Sequence, residues 1–245
     1  MLAGRDDRPP QPPLSTRFAT TAASRAGPSP NCKNGQSRVK LAQCDLLGSF
    51  AELLGEPAEK VFITPTAKYQ LLPKKKSKAI DKFGDEATVR RVRDFLESTK
   101  EIPGIKDEGL LTLLHRIDKI DSGEALLFAA AVELPNPILA TGDRNALRAL
   151  LAQEALLARV VEALRDNVVT FESALLLALH RNGFASVKQK LLDSPKPDGM
   201  LRLVLKPDMH ESNLCECLRS YLREVDSLLR FRELIVGGSE SSLSQ

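Results

Sequence analysis

"IDSGEALLFAAAVELPNPILATGDRNAL", from Ile120 to Leu147, is the stretch on which the fold class turns. Asp121 and Glu124 open an apolar helical run, Ser122 to Glu133, with Asp121 or Ser122 placed to cap it. Pro137 to Thr141 then reads as a short strand, and Asp143 stands two residues beyond its carboxyl end. A helix that runs antiparallel to the strand after it sets its N-terminus beside that strand's C-terminus. Asp121, Glu124 and Asp143 can therefore converge at the edge where open parallel sheets gather their functional groups. Two readings of these acids stand. They cap helices and complement helix dipoles, or they crowd their charges around a hard divalent cation that relieves the repulsion.

The flanking sequence supplies the elements such a unit needs. Upstream, "CDLLGSFAELLG" has helical spacing at Leu46, Leu47, Phe50, Leu53 and Leu54, and "KVFITPT" reads as a strand cut by Pro65. "LLPKKKSKAIDKFG" reads as a basic loop, while "DEATVRRVRDFLES" and "DEGLLTLLHRID" read as helices. Downstream, "RNALRALLAQEALLARVVEALRD" predicts a helix, "NVVTF" a third strand, and "ESALLLALHRNGF" a helix stopped at Asn182-Gly183. "ESNLCECLRSYLREVDSLLRFREL" predicts one long amphipathic helix. Short strands alternating with helices argue for an α/β fold with a small parallel sheet, extended by a helical C-terminal part. The expected divisions are 1–38, a disordered N-terminal tail; 39–170, the α/β domain; 171–236, a helical region; and 237–245, a frayed tail. Within the first, Leu14 to Pro30 is rich in Ser, Thr, Ala and Arg and lacks acids. It reads either as a targeting-like segment or as a tail or misassigned start.

Composition excludes several classes. The net charge of +3 is too small to imply nucleic-acid binding by itself, but Lys60 to Lys106 carries twelve basic residues against six acidic ones. Lys74, Lys75, Lys76 and Lys78 form either a solvated loop or a patch that steers a polyanion. Aromatic residues make up 4% of the chain with no Trp, so base stacking on an aromatic platform is not expected. Cys32, Cys44, Cys215 and Cys217 lack disulfide or zinc spacing, which points to a reducing, cytoplasmic setting. His115, His180 and His210 are too dispersed for a metal site. No run reaches the roughly 18–20 apolar residues of a membrane span. No glycine-rich phosphate loop or Gly-x-Ser-x-Gly elbow is present.

Asp-Ser-Gly-Glu-Ala leading an apolar helix, followed by Ile-Leu-Ala-Thr-Gly-Asp-Arg-Asn-Ala-Leu, resembles the second half of a PIN (PilT N-terminus) domain. "CDLLGSFAELLG" and "KVFITPTAKYQLL" resemble that family's first helices and second strand, so the likeness spans roughly Lys40 to Thr170. It implies a three-layer α/β/α fold in which acids bind Mg²⁺ or Mn²⁺ and cleave single-stranded RNA, as in the toxins of toxin–antitoxin pairs. By position, Glu124 and Asp143 would be catalytic and metal-binding acids, with Asp121 supporting them. Arg144 and Asn145 would stand beside the substrate, and Lys74, Lys75 and Lys76 would draw it in. The resemblance departs in two places. Gln70 stands where the family has a Glu, and Asp45 is the nearest candidate for the acid that ends the family's first strand. No convincing strand precedes Asp45, so the opening strand is expected to be absent or replaced. The partners this allows are RNA, a protein partner or a second copy of the chain, with no membrane. A non-catalytic RNA- or protein-binding module is the alternative to the ribonuclease.

Overall fold

A computed structural model describes residues 17–20, 36–56, 60–194, 201 and 205–236. Five short strands form one parallel sheet: β1 (Arg17–Thr20), β2 (Val61–Ile63), β3 (Lys100–Glu101), β4 (Pro137–Ala140) and β5 (Val168–Val169). Their order across the sheet is β3-β2-β1-β4-β5. The fold is mixed α/β, as expected, but the N-terminal expectation is overturned. Arg17–Thr20 is the central strand, with Phe18 in register with Val61 on one side and Ile138 on the other. The opening strand is thus present, and it lies well upstream of Asp45. The expected N-terminal tail also gives way at its end, where α1 (Gln36–Gln43) begins. The rest of that stretch, 1–16 and 21–35, lies outside the described residues, as does the expected tail at 237–245.

Between β1 and β2 the helix expected over "CDLLGSFAELLG" is shortened to its second half, and α1 lies before it. After α1 the chain turns at Asp45, whose φ of 52° is left-handed, before α2 (Phe50–Leu53). β2 leads into α3 (Ala67–Leu71). The expected basic loop is helical over α4 (Lys76–Phe83), which buries Ala79 and Phe83 and closes at Gly84 with φ 99°. Four-residue spacing of those two apolar residues suffices to seat the helix; Lys76 and Lys78 stay in water, while half-buried Lys82 donates to the Gln70 and Leu71 carbonyls at 2.7 and 3.3 Å. α5 (Glu86–Ser98) is capped by Asp85, whose carboxylate accepts from the Thr88 N–H at 2.6 Å, and buries Val89, Val92 and Leu96.

α6 (Glu108–Leu114) and α7 (Ser122–Glu133) precede β4, and α7 packs against both β4 and β1. The helix expected after Asp143 is two helices, α8 (Arg144–Ala152) and α9 (Ala158–Leu164). α10 (Phe171–Asn182) starts in a reciprocal cap between Thr170 and Ser173 and ends at Gly183, φ 78°. Phe171 through Leu179 are all buried, because α10 lies among α1, α2, α11 (Phe184–Leu192), α12 (Glu211–Leu222) and α13 (Arg232–Val236). The long C-terminal helix expected from sequence gives way to a 3-10 turn at Arg223–Leu228. The Arg230 N–H then donates to the Val168 carbonyl at 2.9 Å, partly covering the open edge of β5. One continuous apolar cluster runs from Leu41 to Leu229, so the helical C-terminal residues share the core of the sheet. Among the described residues no helix is long and apolar enough to cross a membrane.

Candidate metal centre at the carboxyl edge of the sheet

α7 and β4 bring the opening acids together. Asp121 is the N-cap of α7, where its Oδ1 accepts from the Gly123 and Glu124 N–H groups at 2.8 and 3.0 Å. Asp143 is the N-cap of α8, where its Oδ1 accepts from the Ala146 N–H at 3.0 Å. Asp143's own N–H donates to Thr141 Oγ1 at 3.1 Å, which fixes the turn that leaves β4. The capping reading holds for both aspartates, and each also acts on Glu124.

Glu124 is 1% exposed, in the first turn of α7, and its Oε2 has no hydrogen-bond partner. Burial, then a side-chain hydrogen bond with Asp121 and its charge, then the charge of Asp143 push its pKa up to about 10. Without a cation the side chain is a neutral carboxylic acid at neutral pH. A buried acid so placed is costly to ionise, and the repulsion from two further acids is the kind a metal ion removes. Shared field and ready-made chelation are nevertheless different things. Among the described residues no three His, Cys, Asp or Glu side chains stand arranged to hold a metal ion. The donor set among the described residues therefore does not fit an ion enclosed by four protein ligands, and Mg²⁺ in general keeps several waters and takes only one or two carboxylates.

The same edge of the sheet carries polar atoms on the other side of β1. Thr64, the residue after β2, is fully buried with its Oγ1 unpartnered, and Gln70 Oε1 on α3 is buried and unpartnered too. Of four such side-chain atoms among the described residues, Glu124 Oε2, Thr64 Oγ1 and Gln70 Oε1 belong to the carboxyl edge; the fourth is Ser194 Oγ, just beyond α11. Unsatisfied buried groups are rare enough in native proteins that each calls for an explanation. Thr64 went unremarked in the sequence, although it is the first polar residue after the Val61–Ile63 run.

Other expected site residues lie elsewhere. Asp45 pairs with Arg91 at 2.9 Å and Lys190 at 3.6 Å, joining the turn after α1 to α5 and α11, and it is not among the acids acting on Glu124. Arg144 donates to the Tyr221 carbonyl at 2.9 Å and stacks over the Tyr221 ring at 4.5 Å, which ties α8 to α12. Asn145 is exposed, as are Lys74, Lys75 and Lys76. The three histidines are exposed, and Cys44, Cys215 and Cys217 form no disulfide; Cys32 lies outside the described residues. Comparison of the chain with protein-family models, with curated proteins and with solved structures finds no match.

Proposed function

We propose that the chain is a PIN-like, three-layer α/β/α domain that binds one Mg²⁺ or Mn²⁺ at Glu124, with Asp121 and Asp143, and hydrolyses single-stranded RNA there. The observation that carries this reading is Glu124: buried, with an unpartnered oxygen, in the field of two more carboxylates. The strand order β3-β2-β1-β4-β5, with acids at the end of β4 and the start of α7, supports it. A bound ion of this kind polarises a phosphodiester and lowers the pKa of adjacent water. Glu124 has to release its proton for the ion to bind, so uptake strengthens as pH rises. The caps hold Asp121 and Asp143 in place meanwhile, which keeps their charge at the site.

A second reading, binding without turnover, is favoured by the β1 side of the site. No Asp or Glu occurs between Asp7 and Asp45, so the central strand and the segment after it bring no acid. Gln70 adds an amide where the resemblance expects a carboxylate. Melting of metal-stripped protein with and without Mn²⁺, alongside cleavage of a single-stranded RNA, separates these readings. On the first, Mn²⁺ raises the melting temperature of the wild type but not of Glu124→Gln or Asp143→Asn, and cleavage follows the same pattern. Absence of any Mn²⁺ effect on the wild type refutes the metal site. A Mn²⁺ effect with RNA binding but no cleavage selects the second reading.

A further inference from the structure

The strongest unassigned feature is a cavity of about 650 Å³ between the end of α3, α4 and the first turns of α5. Its floor is aliphatic, formed by Leu72, Pro73, Ile80 and Val89. Its rim carries four cations, Lys74, Lys76, Arg90 and Arg93, against one acid, Glu86. Glu86 is already engaged by Lys76 at 2.6 Å. That contact, with Arg90 and Arg93 nearby, holds the Glu86 carboxyl below its ordinary range. Arg90, Arg93 and Lys74 are exposed and leave the rim with an excess of positive charge.

Topology places this groove on the same edge as the acids. α5 enters β3 through Thr99 alone, so its C-terminal end stands at the amino edge of the parallel sheet. Its N-terminal turns, which carry Glu86, Arg90 and Arg93, therefore lie toward the carboxyl edge, as the N-terminus of α7 does. β1 separates the two: the acids sit on the β4 side, the cations on the β2–β3 side.

We propose that the α4–α5 groove binds single-stranded RNA next to the acid site, with Lys74, Arg90 and Arg93 on phosphates and the aliphatic floor under unpaired bases and riboses. The proposal rests on the RNA reading of the preceding section. A duplex keeps its base faces stacked inside, so an apolar floor beneath a cationic rim suits an unpaired strand. Without an aromatic platform in the groove, recognition is by charge and shape, with little base preference.

The test is fluorescence anisotropy of a labelled oligouridylate in EDTA, where no metal-dependent cleavage occurs, over a range of salt. The double variant Arg90→Glu/Arg93→Glu should lose at least tenfold in affinity at low salt. Its plot of log K against log salt should be shallower by about 1.4, at about 0.7 for each lost phosphate contact. Arg90→Gln/Arg93→Gln, a milder change at two exposed positions, should fall between, and an unchanged melting temperature confirms its fold. Unchanged affinity and slope in the reversed variant overturn the proposal. So does displacement of the oligouridylate by poly-glutamate at equal charge, which would mark a surface for acidic polypeptides. Absence of a Mn²⁺ effect on the melting of the wild type, with its RNA binding in EDTA intact, would sink the metal reading alone. The reverse result would sink the groove alone.

Discussion

Replacing Glu124 by Gln should make the metal-free protein more stable at mildly alkaline pH. The folded protein holds a proton on Glu124 up to a pKa of about 10, while the unfolded chain releases it near the ordinary glutamate value of 4.5. Below the lower value both states are protonated, and the side chain contributes no pH dependence. Between the two, the folded state binds one more proton than the unfolded, so stability falls by about 1.4 kcal/mol per pH unit. From about pH 5 to pH 8 the loss from this one residue is about 4 kcal/mol, a large part of the 5–15 kcal/mol typical of a domain. Gln keeps the shape, cannot ionise, and offers amide hydrogens to the two neighbouring carboxylates. Urea unfolding in EDTA, followed by circular dichroism across that pH range, measures the difference between the two proteins directly. Contributions from all other titrating groups largely cancel in it. The variant should match the wild type near pH 5 and exceed it by a few kcal/mol near pH 8. Parallel pH profiles would refute the assignment of Glu124 as a buried, proton-holding acid.

Ala19→Pro should abolish cooperative folding. The change removes a donor and inserts a ring in a strand paired on both sides, at a cost of about 3 kcal/mol or more, and a normal thermal transition would show that β1 is not central. Thr64→Val should raise the urea midpoint of the metal-free protein by an amount worth about 1–3 kcal/mol, since it deletes an unpartnered buried hydroxyl at constant volume. A drop in the midpoint would mean that the hydroxyl has a partner after all.

Legibility in the sequence followed the range of the interactions. α7 and β4 were readable because their signals are local: a cap, a long apolar helix, and a short run ending before Thr141-Gly142-Asp143. The meeting of Asp121, Glu124 and Asp143 was readable from the direction of a crossover helix alone. β1 was not, because four residues in a Ser-, Thr- and Ala-rich stretch owe their strand to two neighbours far along the chain. β3 is two charged residues that become a strand only by pairing with β2. Asp45 looked like the nearest ligand candidate because its partners, Arg91 and Lys190, are 46 and 145 positions away. The break between α8 and α9 and the left-handed turn at Asp45 left no strong glycine or proline mark where they occur.

A central strand taken from the beginning of the chain also sets a timetable. Phe18 waits for Ile138, 120 positions later, before its second edge can close. At about 5–20 residues per second, a ribosome needs roughly 6–24 s to supply that partner. During synthesis β1 is therefore, of the described strands, the one longest without its full set of neighbours. β2 can dock first, and the site acids come into register only when β4 arrives on the far side. Assembly of the proposed site and pairing of the second edge of β1 are then the same late event. A nascent chain stalled before Pro137 would carry neither.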